Sequence, residues 1–159
     1  MPISIICVGK LRESFYRDAA AEYLKRLKRL TPVAVVELPD EKEPANPTPA
    51  LCRQSVEREG EKILAKIAPQ DYVIALCINA RQWESPALAR HLSQLFTQGK
   101  SHVAFVIGGS LGLSDAVLRR ADERLSMSQM TFPHQLARIM LLEQLFRAAK
   151  INAGERYHK

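Results

Sequence analysis

The sequence predicts an α/β fold, a mostly parallel sheet flanked by helices, on three observations. Short continuous runs of Val, Ile, Ala and Leu alternate with longer stretches whose apolar residues recur every three to four positions. The apolar runs carry few polar residues, so both faces of each strand must be covered, as in parallel sheets. The 159 residues, 47% hydrophobic, contain no repeat or low-complexity tract. That suits one core, and a single domain spanning 1–159 is expected.

Residues 3–8 read as a buried strand closed by Gly9. Residues 13–30 follow with helical spacing of Phe15, Ala19, Tyr23, Leu27 and Leu30. A second strand covers 33–38, and 39–49, with four prolines, is a loop. Residues 50–67 form an amphipathic helix carrying Val56, Gly60, Ile63, Leu64 and Ile67. Then come a strand at 72–78, a helix at 86–97 and a strand at 102–107 that stops at Gly108-Gly109. A short helix at 114–121 precedes a brief strand at 125–127 and a final helix at 133–151. Thr131 is placed to cap that helix, with Pro133 in its first turn.

Composition narrows the function classes. Lys and Arg number 23 against 17 Asp and Glu, a net charge of +6, which favours a polyanionic partner through counterion release. Cys7, Cys52 and Cys77 show no metal-pair or redox spacing, and their odd count argues against a disulfide framework. His91 and His102 are isolated, with surface or capping roles, so no metal is expected. No apolar stretch approaches the roughly 20 residues that span a bilayer. The N-terminal apolar run is too short for a signal peptide, so a cytoplasmic protein that binds no membrane is expected.

Ligands of open parallel sheets bind beyond the carboxyl ends of the strands. Three such ends stand out: Leu76 and its neighbours, the loop Gly108-Gly109-Ser110-Leu111-Gly112, and residues 127–132. The glycine loop permits close backbone approach and offers free N–H groups, although a bare strand-to-helix turn has the same composition. It lacks the spacing of a dinucleotide fingerprint, and no Gly-Lys-Ser/Thr follows as a P-loop requires.

The last helix places Glu143, Gln144, Arg147 and Lys150 in one sector and Arg138 on the opposite side, with His134, Leu141, Leu142, Leu145 and Ala149. An arginine within an apolar stripe needs an anionic or carbonyl partner. A structural ion pair and a ligand-binding role both satisfy that need. At the end of the chain, Tyr157 and His158 stand between Arg156 and Lys159. They read either as a frayed terminus or as a stacking face with a titratable imidazole that can hold an unstacked base. Trp83 after Arg81 reads as a half-buried anchor or a stacking residue.

Together, Phe105-Val-Ile-Gly-Gly-Ser-Leu-Gly-Leu113, Leu125-Ser-Met-Ser-Gln-Met-Thr-Phe-Pro-His-Gln135, Arg138, Glu143-Gln144 and Tyr157-His158 closely resemble one family over the whole chain. It is the bacterial ribosomal RNA large subunit methyltransferase H family, which methylates N3 of a pseudouridine in 23S rRNA. The resemblance implies a SPOUT-type α/β knot, whose C-terminal segment forms a trefoil knot, a topology that chain connectivity rules make rare. It implies a homodimer, with S-adenosylmethionine held in the knot and the substrate site completed by the partner's tail, acting on 23S rRNA within the ribosome. Leu76, Gly108, Met127, Ser128, Gln129, Met130, Thr131 and Phe132 would line the cofactor pocket. Arg138, Tyr157 and His158 would be the substrate-side catalytic residues. Arg156 departs from the proline that relatives often carry before the Tyr-His pair. The competing readings are a catalytically inactive ribosome- or RNA-binding factor of the same fold and a tRNA methyltransferase. An intact glycine loop and tail weigh against the first, and the lack of an added RNA-binding domain against the second.

Overall fold

In a computed structural model, which describes residues 2–159, five strands and five helices alternate along the chain. The strands are β1 (Ile3–Val8), β2 (Val33–Leu38), β3 (Tyr72–Gln82), β4 (Val103–Ile107) and β5 (Glu123–Ser126). They form one sheet in the order β2-β1-β4-β3-β5, with every neighbouring pair parallel. The helices are α1 (Ser14–Leu27), α2 (Pro49–Leu64), α3 (Ser85–Thr97), α4 (Asp115–Arg120) and α5 (His134–Asn152). The expected α/β class is therefore what the chain adopts.

Strand alternation divides the core in two. Ile3, Ile5 and Cys7 of β1 and Val103, Phe105 and Ile107 of β4 face one side, where Leu27, Leu92, Leu141 and Leu145 cover them from α1, α3 and α5. Ile6, Val8, Ala104 and Val106 face the other, under Ile63 of α2 and Val117 of α4. Both faces of the inner strands are buried, which is why they read as nearly continuous apolar runs, broken only by Ser4.

Several boundaries differ from expectation for identifiable reasons. Strand β3 continues to Gln82 rather than stopping at 78, because its pairing with β5 breaks and resumes: Leu125 stands opposite both Leu76 and Arg81. The intervening residues 77–80 leave the ladder, a bulge that polar Asn79 disguises as a loop. Thr131 does not cap α5. Pro133 occupies the N-cap position with φ −53° and ψ 138°, and no side chain caps the helix. Proline disfavours helical backbone at the residue before it, Phe132, so the helix cannot begin as early as a Thr131 cap requires. Thr48 and Ser114 do cap α2 and α4, accepting from Leu51 N at 3.2 Å and Val117 N at 3.3 Å.

Candidate functional site

The carboxyl ends of β3, β4 and β5 open into one cavity of about 890 Å3. This volume lies within the range of small-molecule sites. Its walls are Leu76 and the bulge residues 77–79, the loop 108–113, and residues 127–128 and 130–135 leading into α5. Of the eight residues expected at a cofactor, seven line it: Leu76, Gly108, Met127, Ser128, Met130, Thr131 and Phe132. Gln129, in the middle of the same run, is exposed and does not.

The glycines of the loop have separate reasons. A Cβ at Gly108 would stand 2.7 Å from the carbonyl oxygen of Gly112, so the turn can fold back on itself only if residue 108 has no side chain. Gly112 closes the turn with φ +86°, donating its N–H to the Gly109 carbonyl at 3.1 Å. Behind Gly109 lie Val8 and the carboxyl of Glu59, the latter 2.9 Å from where a Cβ would be. Outside the turn, Ser110 Oγ donates to Glu43 at 3.1 Å and ties the proline-rich loop to the rim. Leu111 and Met130, 40% and 72% exposed, leave two large apolar side chains at the cavity mouth. Uncovered apolar side chains at a concave mouth fit a ligand with an apolar flat face. The polar groups interspersed among the walls, from Asn79, Ser128 and Thr131, suit its hydrogen-bonding edge.

Glu59 is an unusual neighbour. Only 5% exposed, its Oε2 has no hydrogen-bond partner among the described residues. Burial, then the nearby Asp40 and Glu41 carboxylates, push its pKa above the ordinary carboxylate range. Burial likewise raises the thiol of Cys77 in the cavity wall, and lifts Cys7, in the core of β1, to about 11. Both cysteines are thus poor nucleophiles at neutral pH.

Arg138 is 2% exposed and does not line the cavity. Its Nη1 donates to Glu37 Oε2 at 2.6 Å and its Nη2 to the Gly9 carbonyl at 2.9 Å. It joins α5 to the carboxyl ends of β1 and β2. Within one chain these contacts make an ion pair, and Nε is left without a partner among the described residues. One turn earlier, His134 does line the cavity. Burial and the Arg138 charge hold its imidazole below the ordinary histidine pKa, opposed by Asp40.

Tyr157 and His158 lie elsewhere on their own chain. The Tyr157 ring packs edge-on against Phe146 at 4.8 Å, its hydroxyl donates to Glu143 at 3.2 Å, and Arg147 lies over its face. Arg147 Nη1 donates to His158 Nδ1 at 3.3 Å. Neither tail residue lines the cavity within one chain. Trp83 is half-buried, stacked with His91 at 4.7 Å and covered by Arg81. His91 and His102 are bound to Glu123 and Asp71, each at 2.8 Å. No group of residues able to hold a metal occurs among the described residues, and no helix among them is long and apolar enough to cross a membrane.

Sequence reasoning marks the neighbours of Leu76 as a strand end without the bulge that brings 77–79 into the wall, and it misses Glu59 and His134. Glu59 left a signal: with Val56, Gly60 and Ile63 it completes an i, i+3, i+4, i+7 stripe, so its place on the buried face of α2 was readable.

Comparison with known proteins agrees with this geometry. A family model described as "Predicted SPOUT methyltransferase" matches residues 1–158. Proteins named ribosomal RNA large subunit methyltransferase H are 53% identical in Exiguobacterium, 54% in Bacillus thuringiensis and 49% in Lactobacillus johnsonii. Each alignment covers 100% of both chains. A solved structure of a probable methylase family protein from Haemophilus influenzae matches the fold with a TM-score of 0.54 at 17% identity, over 99% of this chain and 70% of that one.

Proposed function

Since the chain belongs to the SPOUT methyltransferase family, we propose that it methylates N3 of a pseudouridine in 23S rRNA of the large ribosomal subunit, with S-adenosylmethionine as donor. The observation that carries this is the convergence of the three motif-bearing strand ends on one cavity of suitable size. The residues fit the donor: an apolar-mouthed cleft with a glycine turn and scattered polar groups suits a purine nucleoside bearing a short polar chain. When bound, the donor supplies a methyl group already activated by its sulfonium. The protein's task is then to align N3 with that methyl group, to exclude water and to take the N3 proton. Leu76, Gly108 and residues 127–132 would hold the donor, the last run mainly through its backbone. A trefoil knot accords with this placement, because residues 127–128 and 130–133 wall the same cavity as the bulged segment 76–79 of β3 and the loop 108–113.

We further propose a homodimer. On α5, Leu136 and Met140 stay half-buried outside the core cluster that takes Leu141, Leu142, Leu145 and Phe146. Met140, Glu143, Gln144 and Trp83 border a cleft of about 280 Å3 that also touches Met127, so a second copy seated there would adjoin the cavity. Its Tyr157 and His158 would complete the substrate side, a role the tail cannot fill from its position on its own chain. The net charge of +6 supports an RNA partner. One domain carries these tasks, so much of the substrate selection falls to the shape of the ribosome, and the protein works in the cytoplasm.

The test is methyl transfer from labelled S-adenosylmethionine to ribosomes lacking the modification, followed by nucleoside analysis. Label in N3-methylpseudouridine is expected, and its absence while the donor binds would exclude the reaction. An inactive binding factor would show no affinity for S-adenosylmethionine in calorimetry.

A further inference from the structure

His134 stands apart from the other histidines. His91, His102 and His158 are each bound by a charged side chain, whereas His134 has no hydrogen-bond partner among the described residues. It is the first residue of α5 and lines the cavity. Its Nε2 rests on Gly9, 3.3 Å from where a Cβ would be, so Gly9 has no side chain to displace the ring. Four residues on, Arg138 is clamped by Glu37 and the Gly9 carbonyl, which fixes the helix turn beneath the imidazole.

We propose that His134 is the proton acceptor of the methyl transfer and Arg138 its positioning residue. The inference rests on the reaction proposed above. N3 of the pseudouridine gains the methyl carbon as its proton passes to a ring nitrogen of His134, which later releases it to water. The donor's carbon–sulfur bond breaks with the electron pair left on sulfur, giving a neutral thioether. Positive charge is thus transferred to the imidazole in the step that removes it from sulfur, and the total is unchanged.

The surrounding charges suit this task. Burial, then the Arg138 charge from the same helix, disfavours a protonated ring before reaction. From the loop after β2, Asp40 favours the imidazolium once it forms. Glu37 of β2 is paired with Arg138 and offsets its charge. The contact from β1 is the Gly9 backbone, residues 108–113 of the opposite wall carry no charged side chain, and Arg124 of β5 is the cation in the cavity wall. His158, bound to Arg147 outside the cavity, is left to hold the nucleotide.

Single-turnover methylation of unmodified ribosomes by wild type and His134→Asn, across pH 5.5–9, tests the proposal, with calorimetry for S-adenosylmethionine and NMR titration of the His134 C2–H. Wild type should reach a plateau by neutral pH. His134→Asn should keep donor affinity within about threefold, lose roughly 100-fold in rate at pH 7, and recover steadily as pH rises toward ionisation of N3 itself. Equal rates and profiles, or a loss confined to donor affinity, would overturn the role alone. A wild type inert toward ribosomes would overturn the reaction and the role together. Should the variant misfold, the wild-type titration decides. A His134 midpoint below the ordinary histidine value that coincides with the rise of the rate profile supports the proposal, and one above it contradicts the proposal.

Discussion

Replacing Gly108 by alanine should weaken donor binding without unfolding the protein, and the structure sets the size of the effect. The new Cβ would lie 2.7 Å from the Gly112 oxygen, 2.8 Å from the Gly112 carbonyl carbon and 3.0 Å from Leu113 Cδ2. Ordinary contact begins near 3.4 Å, so the far side of the turn must retreat by about 0.7 Å. The obstacle is backbone, which cannot rotate away as a flexible side chain can. Forcing atoms into a packed site costs about 1–3 kcal/mol. If the donor needs the turn closed, that cost appears as a roughly 5–150-fold rise in Kd. Gly99→Asn is the control: it has a positive φ, which asparagine tolerates, nothing lies within 4 Å of its Cβ position and it lies outside the cavity, so affinity should change by less than about threefold. Calorimetry with S-adenosylmethionine measures both, and circular dichroism verifies the fold. Wild-type affinity in folded Gly108→Ala would refute the idea that this turn shapes the donor site.

Glu59→Gln removes a buried charge that Lys62 and the Glu41 backbone offset only in part, and should stabilise the protein at pH 7 by about 1 kcal/mol in urea unfolding. The folded chain holds the Glu59 proton more tightly than the unfolded chain, so wild type loses stability as pH rises from the ordinary carboxylate range through the raised folded value. The gain from glutamine should therefore vanish in acid below that range, and a pH-independent gain would contradict it. Arg138→Met leaves Glu37 and the Gly9 carbonyl without their partner and should cost about 3 kcal/mol, the low end of the range because Glu37 is partly solvated. For a chain of this size that lowers the melting temperature by roughly 6–12 °C, readable in a thermal scan. Deleting residues 157–159 should abolish methyl transfer to ribosomes while donor affinity in calorimetry stays unchanged, because the tail does not line the cavity of its own chain.

Much of the fold was legible because the inner strands are dry on both sides. Ile3–Val8 and Val103–Ile107 are buried at every position, and their apolar runs announce it. Edges read less well: β5 has four residues, and β3 joins it across a bulge whose Asn79 and Ala80 carry no strand signal. The glycine loop was visible as composition, yet its meaning depends on Gly112 folding back over Gly108, a contact that spacing does not encode. Arg138 was correctly marked as an arginine on an apolar face. Its partners, Glu37 and Gly9, lie more than a hundred residues away, so sequence could not choose between ion pair and ligand. His134 was passed over because a half-buried histidine on an apolar face is ordinary. What distinguishes it is the cavity beside it and the absence of a partner.

The most direct test of the central claim is the fate of a labelled methyl group. Ribosomes lacking the modification, incubated with this protein and labelled S-adenosylmethionine, should yield label in N3-methylpseudouridine from 23S rRNA after digestion and nucleoside analysis. Label in any other nucleoside, or none while calorimetry shows the donor bound, would contradict the account.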